Sequence, residues 1–272
     1  MPRRRCIFCG GGPLTREHVA PEWFRKLVGI DEARPGSVTH HTPGHAREID
    51  FEAIPGSRTA KVVCEGCNSG WMSQLEREVS VILTPILQGQ SGRLSERDLE
   101  LLARWAFKSA CVIDAASPGS GGGFLQEHRS LLCDRHKLPR RSAVWMTTWP
   151  GTTTTWTAHW GIAIAVQPGE EVREINTYGA TFVLGPVAFR VYATTQEPID
   201  PKYFHELLPG IFQIHPLSEP IDWKGRFWLT AEQLENWAFA IPRQLQEASQ
   251  EGEAGMDFWM GKESAPIRGP RE

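Results

Sequence analysis

The apolar positions of this chain first recur at helical spacing and later crowd into strand-like runs. Trp71, Met72, Leu75, Val79 and Ile82 fall on one face of a 3.6-residue period and predict a helix from Trp71 to Leu83, which Pro85 closes. Leu99, Leu102, Trp105, Ala106 and Ala110 face one way in a second helix. Ser95 caps it and Asp98 completes a pattern like a capping box. This helix ends near Ser117-Pro118-Gly119, before the glycine run 121–123. Phe124 to Lys137 suggests another helix, stopped by Pro139.

From Ala143 the composition shifts to Val, Ile, Thr, Phe and Trp. Strands are expected over Ala143–Trp149, Thr154–Val166, Glu171–Thr177 and Thr181–Thr194, with a hairpin turn at Gln167-Pro168-Gly169. Thr230 with Gln233 caps a final helix reaching Ala248 and interrupted at Pro242. These patterns predict an α+β chain in three parts. Residues 1–90 form a cysteine-pinned unit whose middle, Asp31 to Arg58, reads as loops with short strands. Residues 91–248 form an α+β domain with antiparallel strands and flanking helices, and 249–272 a polar, flexible tail. Gln88 to Gly92 is the linker between the first two.

Composition narrows the class. No apolar run among the 272 residues approaches the ~20 that a membrane helix needs. The basic start, Met1 to Arg5, leads into a cysteine motif instead of an apolar signal core, so a soluble cytoplasmic protein with reduced thiols is expected. Net charge is −3, which excludes a strongly basic coat for nucleic acid. Residues 1–90 carry 11 Lys and Arg against 10 Asp and Glu, and the remainder 18 against 22.

The chemistry sits in the first third. Cys6-Ile7-Phe8-Cys9 and Cys64-Glu65-Gly66-Cys67 are two Cys-x-x-Cys pairs about 55 residues apart, without the strand–helix setting of a redox couple. Four thiolates at this spacing suit one tetrahedral, structural zinc, and a loop-rich unit of this size needs the folding free energy that a metal supplies. Between the pairs lies Glu17-His18-Val19-Ala20-Pro21, and Asn68 follows the last cysteine directly.

The order Cys-x-x-Cys, acid-His-Val-x-Pro, Cys-x-x-Cys-Asn resembles the HNH endonucleases, whose core is a zinc-stabilised ββα-metal domain. The resemblance covers roughly residues 1 to 83. It implies that His18 is the general base that takes a proton from the attacking water. Glu17 and Asn68 would hold a catalytic divalent cation, Mg²⁺ or another, beside the scissile phosphate. The partner would be nucleic acid, with DNA the expected form, and no membrane. Glu17 is a departure, since Asp or His is commoner there. The middle Asn of the motif has no counterpart, and His40, His41 or His45 could stand in for it. Arg16, beside the motif, is a candidate phosphate contact.

Two functions follow as expectations. One is a metal-dependent endonuclease hydrolysing phosphodiester bonds. The alternative is a non-catalytic zinc-binding module that recognises nucleic acid or protein. Cys133-Asp134-Arg135-His136 has ligand-like spacing but lacks partners in the sequence, and Cys111 lies on an apolar helix face.

Overall fold

Strand β1, Leu14–His18, is followed by a short helix α1, Glu22–Val28, and by two nine-residue strands, β2 (Arg34–Thr42) and β3 (His45–Ala53). The structure, a computed structural model, describes residues 5–28, 34–42, 45–53, 57–117, 123–151, 155–164, 174–197, 210–216, 219–224, 229–238 and 240, with 34–42 and 45–53 in backbone only. Where loops with short strands were expected between 31 and 58, the described residues form two nine-residue strands, β2 paired with β3. The side chains of His40, His41 and His45 lie outside the described residues, as do the turn at 167–169, the segment after Pro242 and the tail.

Strand β4, Thr59–Cys64, pairs antiparallel with β1. The chain then turns helical at once. A single turn, α2 (Glu65–Cys67), a wider turn at Asn68–Met72 and α3 (Ser73–Leu87) run head to tail, with a backbone kink at Gly70. Pro85 does not close α3 but sits in its last turn. The helix ends instead at Gly89, whose φ of 76° lets its N–H turn back to Ile86 O.

Gln88 to Gly92 is therefore a tight helix exit leading into β5, Gly92–Leu94. Helix α4, Glu96–Ala116, begins with the expected capping box: Asp98 N–H donates to Ser95 Oγ, and Ser95 N–H donates to the Asp98 carboxylate. Its burial is not confined to one face. From Leu101 to Asp114 almost every residue is buried, because α4 packs against α3 and β4 on one side and against the large sheet on another. Helix α5, Gln126–Arg135, ends at His136, which takes a left-handed conformation with φ 53°. Asp114 ties α4 to this region by accepting from Gly123 N–H, Phe124 N–H and Arg129 Nη2.

The remaining strands are β6 (Ser142–Thr148), β7 (Thr155–Ile162), β8 (Thr177–Leu184), β9 (Val187–Thr194), β10 (Phe212–His215) and β11 (Ile221–Trp223). The run read as one strand from Thr181 to Thr194 is two. Gly185, at φ 58°, and Pro186 turn β8 into β9, a Gly-Pro signal that the apolar residues on either side conceal. A seven-stranded sheet has the order β10-β6-β9-β8-β7-β2-β3, antiparallel except for β2 against β7. Strands β6, β8 and β9 are buried on both faces.

Helix α4 covers one face of this sheet. Residues of the last described helix, α6 (231–238), cover part of the other, with Leu234 and Trp237 packed beside Trp145 and Tyr192. The Thr230–Gln233 capping box is present there. Arg190 is stacked between the rings of Trp145 and Trp237, 4.5 Å from each centroid, and donates to Trp237 O.

The chain is thus a mixed α+β protein with antiparallel sheets, as expected at that level. One core runs from Cys6, Phe8 and Val63 through Leu75 and Trp105 to Phe189. No described helix is long and apolar enough to cross a membrane.

Candidate metal centre and adjoining strand

The first cysteine pair sits on a knuckle made by the residues around it. Cys6 N–H donates to Gly11 O, and Gly10 N–H returns to Cys6 O, a reversal that the positive φ of Gly10 allows. Gly11 N–H points at Cys9 Sγ, 3.4 Å away, and a Cβ on Gly11 would stand 3.3 Å from that sulfur. The second pair spans the end of β4 and α2. Pairing of Leu14 with Cys64 in the β1–β4 ladder, together with Ile7 N–H on Val62 O, draws the two pairs together.

The sulfurs of Cys6, Cys9, Cys64 and Cys67 all lie within 4.8 Å of one another, and those of Cys9 and Cys64 are 3.4 Å apart. A tetrahedral zinc with Zn–S bonds of about 2.3 Å needs sulfurs roughly 3.8 Å apart, so the four fit one ion. The thiols differ in their electrostatics, and Cys9 and Cys67 are raised where Cys6 is lowered. Burial opposes the thiolate of Cys6, but the N–H groups of Cys9, Cys64 and Phe8 outweigh it and lower the thiol to about 7. Burial pushes Cys67 up, and the buried indole N–H of Trp71 works in the other direction. Several thiolates this close need a cation to offset their charge. The four cysteines form a candidate zinc site, and among the described residues they are the cluster of potential ligands that closes tightly enough for a metal.

Cys133 adds a fifth sulfur, 3.9 Å from that of Cys67. Nothing in the spacing of the chain links Cys133 to the first third; the docking of α5 does. His136, at the end of α5, approaches Trp71 in a tilted arrangement with ring centroids 6.2 Å apart.

The acid–histidine segment occupies the end of β1. Side chains alternate along a strand, so Thr15 and Glu17 share one face, and Arg16 and His18 the other. Glu17 is buried, His18 is partly exposed and Arg16 is exposed. Asn68 binds this strand directly, its Nδ2 donating to Thr15 Oγ1 at 3.1 Å and to Arg16 O at 3.2 Å. The carboxamide is thereby held against the strand carrying Glu17 and His18, with Oδ1 left to accept.

Glu17 already has a cation beside it. Lys108, on α4 and only 2% exposed, places Nζ 3.3 Å from Glu17 Oε1 and 2.6 Å from Glu76 Oε1 on α3. Burial raises the Glu17 carboxyl and Lys108 opposes that rise only in part, since one ammonium serves two carboxylates. For Lys108 itself burial works downward, yet the two carboxylates outweigh it and the ammonium is held above its usual range. Asn68 Oδ1 and Glu17 Oε2 are oxygen donors of the type a hard divalent cation takes, but Glu17 is buried beside the Lys108 ammonium.

Sequence reasoning missed Lys108 and Glu76, and it named Cys133 without its neighbour Cys67, because each contact spans a long stretch of chain. Comparison with family models, with curated proteins and with solved structures finds no match to this chain.

Proposed function

We propose that the chain is a metal-dependent endonuclease of the HNH type, hydrolysing phosphodiester bonds in nucleic acid around a structural zinc on Cys6, Cys9, Cys64 and Cys67. The observation that carries this reading is the bond from Asn68 to β1. It brings the residue after the last cysteine against the Glu17–His18 strand, as the motif order requires.

His18 is the proton acceptor for the attacking water, and its partial exposure at a strand end leaves the imidazole reachable. A divalent cation, when bound by Glu17 and Asn68, would supply Lewis-acid stabilisation of phosphoryl charge. Asn68 holds β1 against the helix that follows the zinc knuckle, while His18 leaves the strand on the face opposite Glu17. Plasmid incubated with Mg²⁺, Mn²⁺ or Ni²⁺ tests the reading. Cleavage by the parent protein, and its loss in a folded His18→Ala variant, are the expected results; unchanged cutting by that variant removes His18 from the mechanism.

The ion pair of Glu17 with Lys108 favours a second reading, a zinc-stapled module that binds without cutting, because it already satisfies Glu17 without a metal. Nucleic acid bound but left intact by the parent protein would select it.

A further inference from the structure

The β1–β4 ladder contains one irregularity, and it decides where three charges go. Thr15 pairs with Val63, but the next residue, Arg16, pairs with Lys61, so Val62 is an extra residue on β4. Without it, Arg16 would face Val62 and Glu17 would face Lys61, a cross-strand pair of opposite charge. The bulge forgoes that pair. Val62 and Val63 both turn into the core, Glu17 faces Ala60 and finds Lys108 inside, and Arg16 and Lys61 are left opposite one another outside.

Both are exposed, and neither has an ion-pair partner among the described residues. Like charges directly opposite in an antiparallel ladder destabilise it. His18 lies two residues beyond Arg16 on the same face, opposite Thr59. The nearby acidic residue Glu22 is already paired with Lys26.

We propose that Arg16 and Lys61 form a two-cation clamp for the phosphodiester backbone of nucleic acid, laid along the β1–β4 face so that a phosphate passes His18. The clamp rests on the nucleic-acid reading above and adds Lys61 to it. A backbone phosphate lying over the pair supplies the negative charge that the bulge withholds, and the guanidinium and ammonium donate to its oxygens.

Counterion release provides the test. Each phosphate contact on duplex DNA adds about 0.9 to the slope of log affinity against log salt. Binding of a labelled duplex oligonucleotide is followed by fluorescence anisotropy over a range of salt, with His18→Ala as the background so that nothing is cut. Lys61→Ala and Arg16→Ala are each expected to lower the slope by about 0.9, and the double variant by about 1.8. Arg97→Ala, at an exposed position on the first turn of α4, is expected to leave it unchanged. The Tm of the Lys61 variant should equal or exceed that of its parent, because removing one of two facing cations relieves repulsion, whereas a purely structural lysine would lower Tm and leave the slope alone.

Slopes unchanged in folded variants, or no binding to the duplex at low salt, overturn the clamp. Plasmid cutting that depends on His18 alongside unchanged slopes would leave the nuclease standing without the clamp. Lowered slopes with plasmid left intact would keep the clamp and give the chain to the non-cutting reading.

Discussion

The ammonium of Lys108 meets the carboxylate of Glu17 at 3.3 Å across 91 residues of sequence, and both are almost completely buried. The contact joins α4 to β1, and through Glu76 also to α3, at the first residue of the acid–histidine segment.

Removing that ammonium leaves two carboxylates facing each other in a place with little water. Breaking a buried ion pair from one side costs about 3–5 kcal/mol. Lys108→Met is expected to lose stability on that scale in urea denaturation. Adding Glu17→Gln to it should recover part of the loss, because the remaining charge is then one. A Lys108→Met protein as stable as its parent would mean that the three groups are not coupled in solution.

The zinc reading predicts a stoichiometry. Elemental analysis of the purified protein should give about one zinc per chain. Cys64→Ser should lower that content well below half and lower Tm with it, since metal binding at such a site is part of the folding free energy. Full zinc content in the Cys64→Ser protein would point to a ligand set other than these four, and Cys133, 3.9 Å from Cys67, would be the first to examine.

Burial lowers His215, on β10, to about 4 from an ordinary 6.5. Between those values the unfolded chain binds a proton that the folded chain does not, so stability falls as pH drops through this window and is kept in full above it. The loss from this one group reaches at most about 3 kcal/mol. Urea midpoints measured from pH 7 down to 4 should decline, and His215→Gln should flatten part of that decline. Equal slopes in parent and variant would assign the acid sensitivity to other groups, such as His128, which burial also lowers.

What the amino-acid sequence determined by itself is local. The capping boxes at Ser95–Asp98 and Thr230–Gln233 are legible because a cap is an interaction over three residues, set before any packing. The two cysteine pairs are legible because their spacing is a chelate geometry, and the knuckle glycines beside Cys9 sit where a sharp reversal needs them. Val, Ile and Thr after Ala143 announced strands, but not that a Gly-Pro turn splits one run into β8 and β9.

Tertiary structure alone decided the rest. Residues 34–42 could have been a loop of the first unit; they became a strand because β7 offered an open edge to pair with. Nothing in the sequence around Lys108 names a partner for it, and only the packing of α4 against β1 and α3 made it the partner of two carboxylates. The bulge at Val62 cannot be read from alternation, since both Val62 and Val63 are apolar and either register buries one of them. Burying both won, and that choice set which charges turn inward and which face the solvent.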